Sequence, residues 1–373
     1  MHFTTLILRN LLRRGVRTAL TVLGLAVGVS AVVSLLGISW GFEKSFMTIY
    51  ESKGIDLVVV KAGVDRLTSN LPETLEAKLA AVPGVRQVVG SLTDVVSFED
   101  SSLVSVLVNG WKPGCLLFKG LRVTEGRPFS DADERPAMLG RVLALNLKKK
   151  PGDTIQVTGE TFHVVAVYES DSLFENGGLI IPLKELQRMM GRKGDVSGFV
   201  VSAASPERKE VEALKKRIES SVPGVAAVPA RDFVQGDTQI RLVKSMAWAT
   251  SLIAMVLGSV GVLNTMLMTV FERTREIGIL RALGWRRSRV LNLVLGESTV
   301  LGLSGALIGS TLGYIGVKSF AQTPMGSIFI TADLPPGVLA IGVLLGLGLS
   351  LVGGFYPAIR AASLDPTEAL RHE

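Results

Sequence analysis

Four stretches of this chain are each about 20 residues or longer, apolar and almost free of charge, and that fact restricts the fold more than any other. A bilayer crossing needs roughly 20 apolar residues. The segments 18–41, 244–271, 290–320 and 336–357 all meet that length. The first contains the uncharged run "TALTVLGLAVGVSAVVSLLGISW". A positive lead into such a run also fits a secretory signal, but the apolar core is too long and no small-x-small site follows. The expectation is a retained anchor. The mean hydropathy of +0.41 agrees with a membrane protein.

The formal net charge is +7, and its placement sets the orientation. Residues 42–240 carry 25 basic and 26 acidic side chains, so the excess lies beside the apolar runs. Arg9, Arg13, Arg14 and Arg17 precede the first run. Arg273, Arg275, Arg281, Arg286, Arg287 and Arg289 separate the second from the third. By the positive-inside rule both termini and the 272–289 segment are cytoplasmic. The 42–243 insert and the 321–335 loop then face outside. Segment 1–17 reads as an amphipathic helix lying in the cytoplasmic interface, and 358–373 as a cytoplasmic tail. A nucleic-acid partner would call for a basic face on a folded domain, which this charge distribution does not supply.

The spans read as solid helices. Gly24 and Gly28, Gly305, Gly309 and Gly313, and Gly342 and Gly346 recur at four-residue spacing, which permits close helix approach. Glu297 is the exceptional ionisable residue within them, and it is expected to pair with an arginine of the preceding loop.

Within the insert the pattern changes to short strands and amphipathic helices. "ETLEAKLAAVPGVRQVVG" and "EVEALKKRIESSVPGVAAV" each read as helix, Val-Pro-Gly-Val turn and strand, with Pro83 and Pro223 ending the helices. A β-rich lobe is expected over about 110–181, around Gly-Asp and Gly-Glu turns. The fold class is therefore membrane α-helical, with four transmembrane helices and an α+β extracytoplasmic domain of two subdomains.

Catalytic motifs fail in this context. "GISWG" at 37–41 has the spacing of a nucleophile elbow but lies at the end of a span, and such an elbow needs a strand-to-helix turn. Cys115 is the sole cysteine and His2, His163 and His372 the three histidines, so no ligand spacing for metal emerges. No G-x-x-x-x-G-K-[ST] phosphate loop occurs, so any nucleotide chemistry must come from another polypeptide.

The charge-dense "ERTREIGILRALGWRRSRV" between the second and third spans combines arginines and glutamates with Ile277, Ile279, Leu280, Leu283 and Trp285. A simple positive loop explains the arginines but not the apolar teeth. A short docking helix explains both. In the tail, Tyr356-Pro357 closes the last span. Asp365, Pro366 and Glu368 then form an N-cap, a first-position proline and a capping-box-like acid.

"ERTREIGILRALGWRR" together with "FYPAIRAASLDPTEALRHE" resembles the MacB/FtsX-type permeases of ABC transporters, over the whole chain. The resemblance places Glu272, Arg273, Arg275, Glu276, Ile277 and Gly278, with Arg281, in the segment that couples to the ATPase. It places Tyr356, Pro357, Asp365, Pro366 and Glu368 in the terminal motif. The insert is similar to the MacB-like periplasmic core domain, although "LKKKPGD" stands where Leu-x-Val-Gly-Asp is commoner. The family implies a permease dimer, expected to be of identical copies, in a bacterial cytoplasmic membrane. Two copies of an ABC ATPase holding ATP and magnesium would drive it, while this chain carries no cofactor. A membrane-fusion adaptor or outer-membrane channel is a further expected partner. Force would pass along the helices to the outer domain, exporting or extracting a drug, peptide, lipid or lipoprotein. The alternative within the family is a non-transporting regulator that activates a cell-wall hydrolase.

Overall fold

The computed structural model describes residues 15–64, 68–96, 98, 106–323, 326 and 334–365. The expected interfacial helix before residue 15, most of the 321–335 loop, and Pro366 and Glu368 of the tail lie outside the described residues.

In chain order the elements begin with α1 (Gly15–Lys53), β1 (Leu57–Lys61), β2 (Leu71–Pro72), α2 (Leu75–Ala80), β3 (Val85–Val96) and β4 (Val106–Trp111). Next come β5 (Arg122–Gly126), β6 (Pro136–Gly140), α3 (Arg141–Leu147), β7 (Thr154–Val157), β8 (Glu160–Glu169), α4 (Leu173–Asn176) and β9 (Leu179–Pro182). The insert closes with α5 (Leu183–Met189), β10 (Asp195–Val196), β11 (Gly198–Ala203), α6 (Arg208–Ser221), β12 (Val225–Pro229) and α7 (Ala230–Gly236). Four helices follow among the described residues: α8 (Thr238–Glu272), α9 (Thr274–Ala282), α10 (Arg287–Ala321) and α11 (Pro336–Ser363). The chain divides into two compact units. Met1–Ser39, Val243–Phe320 and Ala332–Glu373 form the helical one, and Trp40–Leu242 with Ala321–Thr331 the inserted one.

In the helical unit, α1, α8, α10 and α11 are each long and apolar enough to cross a membrane. The glycine ridges of α10 and α11 are contact surfaces, whereas a methyl at Gly24 of α1 would meet nothing within 4 Å. A methyl added at Gly305 would lie 2.8 Å from Leu25, at Gly309 2.5 Å from the carbonyl oxygen of Ala26, and at Gly313 2.9 Å from that of Ser30. Thus one face of α10 lies backbone to backbone on α1, as small residues allow where lipid supplies no hydrophobic drive. Gly346 of α11 packs likewise on Ala306, and Gly353 on Ser259 of α8. Ser34 donates to the carbonyl oxygen of Gly313, and Ser298 to that of Ser350, tying α1 to α10 and α10 to α11.

Two helices run beyond the expected ends of their spans. The helix α1 continues to Lys53, twelve residues past Gly41, because Phe46, Tyr50 and Lys53 recur at helical spacing and bury in the insert. The helix α11 passes through Pro357 and ends at Ser363. Proline removes one backbone donor there, yet the helix continues with Pro357 buried, and Gly353 and Gly354 before it pack directly on Ser259 of α8 and Ser298 of α10. The "GISWG" sequence lies wholly within α1, so Ser39 sits on no strand-to-helix turn.

The inserted unit is built on a ten-stranded mixed sheet in the order β12-β1-β11-β3-β4-β9-β6-β8-β5, with β7 paired to β8. Its two parts share β3. Val85–Ser91 pair with β11, and Leu92–Val96 with β4. Both faces are covered, so β1 alternates sides while staying buried. Leu57 and Val59 face the core under Leu79, Val211, Leu214 and Ile218, and Val58 and Val60 face that under Phe46, Tyr50 and Ile240. Both Val-Pro-Gly-Val turns join a helix to a strand as the sequence implied, with Gly84 and Gly224 at positive φ of 99° and 83°. In "LKKKPGD", Lys148 takes the left-handed position that closes α3, and Asp153 accepts the amide of Lys150 at 2.8 Å. The β7–β8 hairpin turns on Thr158-Gly159, both at positive φ, the twist a two-residue hairpin requires.

Candidate coupling site

The charge-dense segment folds as a break and a short helix. Arg273 has φ −111° and ψ 14°, which separates α8 from α9. At its far end α9 closes through Gly284 at φ 92°. The Gly284 amide bonds the carbonyl of Arg281, and that of Trp285 bonds Leu280, the paired pattern of a glycine C-cap. Nine residues would be marginal as a helix alone, so the segment's hold on its neighbours matters.

That hold has an apolar and an ionic part. Ile277 and Gly278 are buried, and Ile277 packs in the cluster of Val270, Val290, Val294, Ala358 and Ala361. Glu272 receives both terminal nitrogens of Arg17, at 2.9 and 2.8 Å, so the start of α1 is fastened to the end of α8. Arg273 reaches two carboxylates, Glu297 of α10 at 2.8 Å and Glu276 at 3.0 Å. The Glu297 side chain is 2% exposed and that of Arg273 12%. The expected pairing of Glu297 with a loop arginine is therefore present, and it fixes the residue at which the chain turns.

The opposite face of α9 is open. Arg275, Glu276, Ile279 and Leu283 are exposed, as are Arg286, Arg287 and Arg289 beyond it. Arg281 is half-buried and turned back toward the carbonyl of Trp285 at 3.4 Å. The predicted residues thus separate by role. Glu272, Arg273, Ile277 and Gly278 anchor, Arg275 and Glu276 present charge outward, and Arg281 lies between.

The tail motif meets the same end of the helical unit. Arg360 stacks over Phe271 with its guanidinium carbon 5.3 Å from the ring centre, and it lies 3.4 Å from the hydroxyl of Tyr356. Pro357 is buried within α11 and Asp365 is exposed just after it. Arg17, Phe271, Glu297 and Arg360 complete a site that motif reading assigned only in part. Arg17 was visible as the last charge before an uncharged span. Its partner, 255 residues away, was not.

A profile described as "MacB-like periplasmic core domain" matches residues 18–221, more than half of the chain, and one described as "FtsX-like permease C-terminal" matches 248–366. The chain belongs to the MacB/FtsX-like permease family. Among this family's members, the macrolide export ATP-binding/permease protein MacB of Nitrobacter winogradskyi is 30% identical over 392 residues, covering 95% of this chain and 58% of that protein. The chain thus spans under two thirds of that relative's length. The uncharacterized ABC transporter permease YknZ of Bacillus subtilis is 26% identical and covered over 98% of both chains. The extracellular domain of a YknZ from Gram-positive bacteria, known from a crystal structure, aligns to 47% of this chain and 98% of that one, with 20% identity and a TM-score of 0.37. As an ABC permease of this family the chain is MacB-like in its insert and FtsX-like in its last three long helices.

Proposed function

We propose that this permease is the membrane half of an ATP-driven ABC machine in a bacterial cytoplasmic membrane, with 272–289 inside and the insert outside. An ABC ATPase outside this sequence, present in two copies and holding ATP with magnesium, docks on the open face of α9. The permease itself acts as a dimer. ATP-driven closure of the ATPases shifts α9, the bundle follows, and the inserted domain moves an envelope substrate outward. The macrolide exporter among the relatives supports export as the direction of work.

The observation that carries this reading is the two-sidedness of α9. Its back is fastened through Ile277, Gly278, Glu272 and Arg273, while Arg275, Ile279 and Leu283 are exposed for a partner beside the Arg273-paired Glu276. A partner pressing on such a helix meets apolar teeth ringed by charge, the composition of a protein interface whose rim is polar. Fastening matters equally, because a force applied to a loose loop would be absorbed there.

The test is co-purification. The wild-type chain retains its ATPase through affinity purification in mild detergent. Arg275→Glu together with Ile279→Asp, both on the exposed face, abolishes that retention while the permease stays folded. Full retention by the double variant sinks the docking assignment. Reconstitution with the ATPase in vesicles then reads ATP-dependent export directly.

A further inference from the structure

The last turns of α1 end in a buried ionic joint that docking to an ATPase does not explain. Lys53, the final residue of α1, has a fully buried side chain, and its ammonium lies 3.1 Å from Glu175 of α4, itself 5% exposed. The same ammonium donates to the carbonyl oxygen of Lys119 at 3.2 Å and sits 5.5 Å from the ring centre of Trp111. Glu175 also accepts the Ser170 hydroxyl at 2.6 Å. Two turns earlier, Ser172 donates to the carbonyl oxygen of Ser45 at 2.9 Å, and the Leu173 amide donates to the Ser45 hydroxyl at 3.0 Å. Phe174 lies edge-on to both Phe42 and Phe46, with ring centres 4.9 and 5.0 Å away. The segment 170–178 therefore grips α1 at three successive levels.

Its own footing is equally firm. The Tyr168 hydroxyl donates to the Glu175 carbonyl oxygen at 2.7 Å, tying α4 to β8. Asn176 accepts the Ser170 amide and returns a bond to the Ser170 carbonyl, each at 2.7 Å. Gly140, at the end of β6, has no room for a side chain because the carbonyls of Glu175 and Asn176 lie against it. Burial and the nearby Glu175 charge push the Tyr168 phenol well above its ordinary range, so it remains a donor.

An apolar pair of similar shape would hold a helix against a sheet at least as strongly as a buried lysine and glutamate. What the charged pair adds is geometry. Rings alone permit a helix to slide or roll, whereas an ammonium with one carboxylate, one carbonyl and one ring face has a single seat.

We infer that Lys53 and Glu175 are positioning residues that lock the end of α1 to the β4–β9 part of the insert, so that movement of α1 moves those strands. This deepens the proposed function and rests on it, since α1 runs unbroken from Gly15 to Lys53.

The experiment uses the full chain with its ATPase in lipid nanodiscs, and reads hydrogen exchange with and without vanadate-trapped ATP and magnesium. In the wild type, trapping alters exchange both in 274–321 and in 136–182. In Lys53→Met/Glu175→Gln, which leaves no lone buried charge, the response in 274–321 persists and that in 136–182 is lost. Adding Ser45→Cys and Ser172→Cys to that variant restores the lost response on oxidation, and reductant removes it again. A normal response in 136–182 from the uncross-linked variant overturns the inference, as does loss of both responses unrestored by oxidation. No response anywhere in the wild type overturns the proposed function itself, and this inference with it.

Discussion

Replacing Glu297 with glutamine removes a carboxylate that is 2% exposed and 2.8 Å from the Arg273 guanidinium. Removing one partner of a buried pair costs about 3–5 kcal/mol. Arg273 keeps Glu276, whose side chain is 57% exposed, so part of the charge stays paired. The glutamine oxygen can still accept one hydrogen bond, worth about 1 kcal/mol. The net loss is therefore about 2–3 kcal/mol, felt where Arg273 breaks the chain between α8 and α9. At about 1.4 kcal/mol per decade, local opening of α9 becomes roughly 30- to 150-fold more frequent. Arg17→Ala is the matched control. Its pair with Glu272 is exposed at 36% and 30%, and such pairs contribute about 0.2–1 kcal/mol, or a factor of roughly 1.5 to 5. Amide hydrogen exchange across 274–283, in the regime where reclosing outpaces exchange, reads both variants on one scale. Equal acceleration by Glu297→Gln and Arg17→Ala would mean that burial adds nothing to the anchor, contrary to this expectation.

Two more predictions concern packing and pH. Gly309→Ala puts a methyl 2.5 Å from a backbone oxygen of α1 and lowers the thermal midpoint in detergent, at an overpacking cost of about 1–3 kcal/mol. Gly348→Ala, which meets nothing within 4 Å, raises the midpoint through helix propensity, by about 0.5–1 kcal/mol. In the insert, burial pushes Glu73 upward, but hydrogen bonds from Lys112 and Gln187 outweigh it and hold the carboxyl below its ordinary 4.5. Lys112 is likewise lowered by burial and raised more by Glu73 and Glu76, ending above its ordinary 10.5. The carboxylate's contribution is complete above pH 4.5 and fades as pH falls through the lower folded value. The ammonium's is complete below pH 10.5 and fades as pH rises through the higher one. Melting curves of Lys112→Met against wild type should converge at both extremes and differ most between them.

The sequence exposes features whose cause is local. Apolar length marks α1, α8, α10 and α11, and the Val-Pro-Gly-Val turns mark their helix-to-strand joints, because each depends on neighbouring residues only. The length of α1 beyond its span was not legible, because hydropathy falls at Glu43 and Lys44, whereas the helix is continued by Phe46, Tyr50 and Lys53 burying in the insert. The passage of α11 through Pro357 to Ser363 was hidden for a related reason, since proline acts as a local stop while Pro357, Ala358, Ala361 and Ala362 are buried by packing. The sheet order, with β1 between β12 and β11, is set by contacts across more than 100 residues and leaves no periodic trace. At the candidate site around α9 the charges were legible and the partners were not. Glu297 announced itself as a carboxylate in an apolar run, while Arg360 gave no sign of its place over Phe271.

Photo-cross-linking reads out docking on α9 itself. A benzoylphenylalanine at Ile279, on the open face of α9, is compared with one at Val260, exposed on α8. In vesicles carrying the whole complex, irradiation should join the ATPase to position 279 and leave position 260 unlinked to it. An ATPase adduct at 260, or none at 279, contradicts that docking.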